Sequence, residues 1–153
     1  MQPPVTNRLF LLTTLLSVAA LANGSVVINE IHFKPADKTS PEEFVEIHNR
    51  MAVAVNLSAW RFTQGIDFTF PEGTLLEPGG VLVVAEDPAR LKAVFSTKAL
   101  GPYTGRLAND GERLVLRDQQ GEVADAVAYR NEFPWPVGSK DGNSIELIHP
   151  TLD

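Results

Sequence analysis

Apolar and polar residues alternate along most of this chain, and a period of two predicts strands. From Ser25 to Phe33 the alternation puts Val27, Asn29, Ile31 and Phe33 on one face and Val26, Ile28, Glu30 and His32 on the other. Glu43 to His48 repeats it, with Val45 and Ile47 facing in and Phe44, Glu46 and His48 alternating with them. Val53 and Val55 begin a third short strand, and Trp60 and Phe62 follow as large core candidates. Phe68-Thr69-Phe70 and Val81 to Ala85 flank a loop punctuated by Pro71, Gly73, Pro78, Gly79 and Gly80. Pro presets φ and Gly admits positive φ, so this stretch reads as a hairpin-like unit on which the rest must pack. Val81 to Ala85 is apolar at every position, which predicts a central strand covered on both sides. Gly105 to Leu107 reads as a brief edge strand. Arg113 to Arg117, Val123 to Arg130 and Ser144 to Ile148 complete the strand series.

One segment breaks the period. Leu91, Val94 and Phe95 recur at i, i+3 and i+4, the spacing of a helix face. Asp87 suits the cap and Pro88 the first turn, so a short helix ending near Ser96 is expected. About nine short strands, turn signals every ~8–12 residues and one short helix point to an all-β sandwich. The repeated helical segments that a parallel βαβ fold needs are absent from the pattern.

The first residues do not fit the sandwich. Arg8 precedes an apolar run from Leu9 to Val18 broken only by Thr13, Thr14 and Ser17, and Ala20-Leu21-Ala22 supplies small residues for a cleavage site. That order predicts a signal peptide over residues 1–22, with cleavage after Ala22. The run is shorter than the roughly 20 residues a spanning helix needs, so no transmembrane segment is expected once the leader is gone. The domain then occupies residues 23–153, and the expected address is secreted, periplasmic or cell-surface. The last predicted strand nearly coincides with the chain end, which would suit the first module of a longer exported protein.

Composition narrows the chemistry. The formal net charge of −6 becomes one unit more negative when Arg8 leaves, which disfavours binding to a nucleic-acid backbone. With no cysteine, disulfides, thiolate metal sites and cysteine nucleophiles are excluded. An exported domain without disulfides fits bacterial secretion. No serine-hydrolase elbow, phosphate loop or His-Glu-x-x-His occurs.

A few constellations could carry a site. Glu30 and Glu46 lie on strands able to pair, and His32 and His48 lie two residues beyond them. Together these four could form a nitrogen and oxygen metal site if register brings them together. Without it, they are solvated face or rim residues. Asp110, Glu112 and Asp118 flank turns where calcium could bind, although turn-forming Asp is the plainer reading. Arg113 and Arg117, with Arg130, could line one face for an anionic polymer or simply blunt strand pairing. Trp135, between two prolines, is the better of the two tryptophans for an exposed stacking platform, and Trp60 belongs in the core.

Several runs, in order, resemble a known family. Val27-Ile28-Asn29-Glu30-Ile31, Glu43-Phe44-Val45-Glu46-Ile47 and Asn56-Leu57-Ser58-Ala59-Trp60-Arg61-Phe62 resemble the opening of a lamin-tail domain. Phe70 to Ala85 resembles its middle. Leu107-Ala108-Asn109-Asp110-Gly111-Glu112, Asp125 to Tyr129 and Pro134-Trp135-Pro136 resemble its end. The resemblance implies an immunoglobulin-like β-sandwich that is an interaction module in nuclear lamins and stands beside other modules in exported bacterial proteins. It implies no catalytic residues and no cofactor. The expectation is therefore a non-catalytic binding or scaffolding module whose partner is a protein or a cell-surface polymer. The alternative is an accessory domain of an exported hydrolase, nuclease or spore-coat-type kinase whose catalytic part lies elsewhere. A small metal-dependent hydrolase built on His32, His48 and the two glutamates is a further alternative.

Overall fold

A computed structural model describes residues 24–133, 135 and 142–147. The expected signal peptide, residues 1–22, lies outside the described residues, as do Pro134, Pro136 and Ile148. The described residues form β1 (Val26–His32), β2 (Phe44–Asn49), β3 (Val55–Asn56), β4 (Arg61–Gln64), β5 (Ile66–Thr69) and β6 (Leu75–Leu76). There follow β7 (Val81–Ala85), α1 (Pro88–Phe95), β8 (Ala99–Leu100), β9 (Thr104–Gly105), β10 (Gly111–Arg117), β11 (Val123–Arg130) and β12 (Ile145–Glu146). The count exceeds the expected nine because five strands are only two residues long, too short for alternation to show in sequence.

Two five-stranded sheets face each other, in the orders β12-β1-β2-β7-β8 and β11-β10-β4-β5-β9, with a small β3-β6 ribbon at one end. Between them lies one apolar core that includes Phe33, Trp60, Phe62, Phe70, Leu114 and Leu116. This is the all-β, immunoglobulin-like sandwich that the alternation and the resemblance implied. The ladders are antiparallel except β7 with β8, where α1 carries the chain over the first sheet. Asp87 caps α1 by accepting from the backbone N–H groups of Ala89 at 2.9 Å and Arg90 at 3.0 Å.

Four local expectations need correction. Phe68 to Ala85 is not a hairpin, because β5 belongs to the second sheet and β7 to the first. Its Pro/Gly groups form two separate turns, closed by Thr74 N–H to the Pro71 carbonyl and Gly80 N–H to the Glu77 carbonyl, with β6 between them. β7 is not covered along its whole length. Val83 and Ala85 pack against Leu91 of α1, while Val81 stays 55% exposed. The helix stripe is not a core stripe either, since Leu91 is buried but Val94 and Phe95 are exposed. The reason is placement: α1 lies on the outer face of the first sheet, not between the sheets.

The fourth correction sets up the site. Pairing between β1 and β2 slips between Ile28 and Glu30, so Asn29 is an extra residue in a bulge. Val26 and Ile28 before the bulge and Ile31 and Phe33 after it all enter the core. Strict alternation assigned these residues to opposite faces.

Candidate functional site

The outer face of the first sheet carries the cluster with the most chemistry. Beyond the bulge, Glu30 lies directly opposite Glu46 on β2 and opposite Glu146 on β12. Residues directly opposite share a face with Cβ atoms roughly 4.5–5.5 Å apart. Three carboxylates therefore form a row across three adjacent strands. The Asn29 side-chain amide, turned outward by the bulge, donates to Glu46 Oε1 at 2.9 Å. The Ser144 hydroxyl donates to Glu30 Oε1. Among the described residues, no Lys or Arg makes an ion pair with any of the three.

This crowding has an electrostatic cost. Burial pushes the Glu46 carboxyl above the ordinary glutamate range, and the charges on Glu30 and Glu146 push it the same way. The Asn29 hydrogen bond and nearby His48 oppose them. A carboxyl raised on folding favours the fold when protonated, and that contribution is lost as pH rises through the folded-state value. At neutral pH the ionised Glu46 thus weakens the domain. Glu46→Gln is expected to raise stability at pH 7 by a few tenths to about 1 kcal/mol, the scale of a like-charged cross-strand pair. The gain should shrink as pH falls toward about 4, where an ordinary Glu also protonates. Denaturant melts of both proteins at several pH values check this, and a gain that is equal at all pH would contradict it.

Glu30 and Glu46 form the floor of a cleft of about 470 Å³ between the sheet, α1 and the 142–144 segment. Phe44 from β2 and Phe95 from α1 wall it, with ring centroids 6.4 Å apart. The His32 ring packs against both, 5.1 Å from Phe44 and 6.1 Å from Phe95. A second, more apolar cleft shares Glu46, Val83 and Thr97 with the first and continues along β7 toward Lys92 and Lys98.

The proposed metal quartet is not assembled. Glu30 and Glu46 meet, but His32 lies opposite Phe44 and His48 opposite Val27. In an antiparallel pair, two residues beyond each carboxylate leads in opposite directions, so the histidines end up roughly 13 Å apart along the strands. His32 is buried, and its Nδ1 and Nε2 lie 2.8 Å from the carbonyl oxygens of Glu42 and Gly142. His48 Nδ1 is buried without a partner among the described residues. Among those residues, no group of three or more His, Asp or Glu is placed to hold a metal ion.

The remaining candidates are dispersed. Arg117 donates to Thr63 Oγ1 at 3.3 Å and to the Gly121 carbonyl at 2.9 Å, so it braces a turn. Arg113 is exposed on the outer face of the second sheet, and Arg130 pairs with Glu132. The three arginines form no common site. Trp135 is half-buried and packs against the core. Asp118 accepts from the backbone N–H groups of Gln120 and Glu122, and Glu112 from Ala108 N–H and the Tyr129 hydroxyl. Both hold loops, as the plainer reading had it.

Sequence reasoning missed the buried polar ties. Glu43 Oε2 accepts from the Tyr103 hydroxyl at 3.1 Å and from Leu107 N–H at 3.0 Å. Burial raises the Glu43 carboxyl above its ordinary value and keeps the Tyr103 hydroxyl protonated as the donor. Asp125 of β11 accepts from Ile28 N–H of β1 at 2.6 Å. These partners stand 60, 64 and 97 positions apart, so no local pattern could reveal them.

Comparison with curated proteins gives no match. The sequence profile described as Lamin Tail Domain matches residues 19–131, a span that holds every strand from β1 to β11. The sandwich runs beyond that span, since β12 pairs with β1. The match covers well over half of the chain, and the two facing sheets agree with it; the chain belongs to the lamin tail domain family.

Proposed function

We propose that this chain is a non-catalytic binding or scaffolding module of an exported protein, working through the outer face of its first sheet. The observation that carries this reading is the Glu146–Glu30–Glu46 row at the cleft. Like charges opposite one another reduce stability, and proteins keep such arrangements where a partner uses them. The interior polar groups point the same way. Glu43, Asp125, Tyr129 and His32 are each bonded to a backbone group of another segment, which holds elements together. The apolar run before Ala20-Leu21-Ala22 supports export.

Two measurements test the reading. The full chain, produced in a secreting bacterial host, is expected outside the cytoplasm with Asn23 as its first residue; an unprocessed cytoplasmic chain would remove the exported part. The processed protein is then expected to be retained on cell-envelope material. The Glu30→Gln/Glu46→Gln double variant should lose that retention and Arg113→Ala should keep it. Equal retention of the double variant would move the site elsewhere, and no retention by any form would remove the binding role.

A further inference from the structure

Resting on that reading, we propose that the cleft receives a Lys or Arg side chain from an extended segment of a partner protein, with apolar residues next to it. Five features of the groove converge on this occupant. Its floor is two facing carboxylates with no ion-pairing cation among the described residues, and a third carboxylate stands beside them. Glu46 is partly withdrawn from water, so a positive charge placed there gains more than it would on an open surface.

The walls supply what a long cationic side chain needs besides charge. Phe44 and Phe95 cross edge to face at the mouth, and the His32 ring packs against both. The two phenyl rings cover the methylene stem of Lys or Arg and attract the cationic head. A bare metal ion would gain nothing from these rings. Each floor carboxylate already accepts one hydrogen bond, from Asn29 or from Ser144, and calcium asks for six to eight oxygens.

The groove also has a direction. From Glu46 it passes into the second cleft, over Val83 and the exposed Val81, and ends near Lys92 and Lys98. The acidic end and the apolar run are contiguous through Glu46, Val83 and Thr97. The matching segment is a basic residue followed by apolar ones. The size agrees as well, because about 470 Å³ lies within the usual range of ~300–1,000 Å³ for a ligand cleft.

The test uses the processed protein and short capped peptides with one central position, Arg, Lys, citrulline or norleucine, beside Val-Leu. Titration by NMR reads both affinity and location. The Arg and Lys peptides are expected to bind at least about tenfold more tightly than their uncharged counterparts. Shifted signals should map to Glu30, Phe44, Glu46 and Phe95, and affinity should fall as salt rises. Glu30→Gln/Glu46→Gln should lose the preference for charge while melting no lower than the parent protein, which separates lost binding from lost folding. Equal affinity for Arg and citrulline, or shifts confined to another face, would overturn the proposal. Envelope retention lost in the double variant but with no charge preference in the peptides would leave the binding reading standing and this occupant wrong. Failure of both would remove both. Binding of a neutral polysaccharide at the cleft in place of the peptides would also overturn the proposal.

Discussion

Replacing Trp60 with Ala is expected to reduce the stability of the domain by about 3–5 kcal/mol, the usual cost of emptying a large aromatic site in a core. Trp60 is 4% exposed and belongs to the cluster with Leu57, Phe62 and Phe70 between the two sheets. Its backbone holds a tight turn: its N–H donates to the Leu57 carbonyl at 3.0 Å, and its carbonyl accepts from Phe70 N–H at 2.9 Å. Alanine keeps both bonds, so the loss comes from the cavity and from lost packing alone. A domain of this kind is stable by only about 5–15 kcal/mol in total, so the variant should be marginal or unfolded at 37 °C. Urea titration of both proteins reads the difference. A cost below about 1 kcal/mol would show that the core closes without the indole.

Asp125→Ala is expected to cost about 2–3 kcal/mol, through a different mechanism. Asp125 lies on β11 at the edge of the second sheet, and Ile28 lies on β1 in the first. The 2.6 Å bond from Ile28 N–H to Asp125 Oδ2 therefore ties the two sheets together, just before the bulge at Asn29. Asp125 Oδ1 also accepts from Ala126 N–H at 2.8 Å. Alanine would leave a buried backbone donor without its acceptor, and that desolvation is costlier than the net worth of an average hydrogen bond. Asp125→Asn keeps an acceptor of the same shape and should recover part of the loss. Amide exchange at Ile28 should quicken in the Ala variant beyond the global change in stability. Unchanged exchange together with a cost below about 0.5 kcal/mol would show that the cross-sheet bond does not hold the corner.

The bulge at Asn29 links these stability arguments to the candidate site. Pairing straight through Asn29 without the bulge would put Ile28 and Ile31 on opposite faces and turn Glu30 into the core. The core needs Ile28 and Ile31 on one side, and the acidic row needs Glu30 opposite Glu46 on the other. Both conditions hold because the pairing skips Asn29. Glu30, Glu46 and the two histidines could be picked out as chemistry-bearing residues from their types and spacing alone. Which of them meet depended on antiparallel register, which joined the glutamates and parted the histidines.

The amino-acid sequence by itself determined the strand periodicity, the capped short helix, the burial of Trp60 and membership of the lamin tail domain family. Each of these is written in neighbouring residues: alternation over a few positions, an Asp-Pro pair, or runs in a fixed order. Tertiary structure alone decided that Phe68 to Ala85 crosses between sheets, that α1 covers an outer face, and that Glu43 and Asp125 serve distant backbone groups. It also decided that three carboxylates from β1, β2 and β12 share one row. The physical reason is separation along the chain. A local period says which residues can share a face of one strand, but register and sheet order, set by packing among residues tens of positions apart, decide which faces come together.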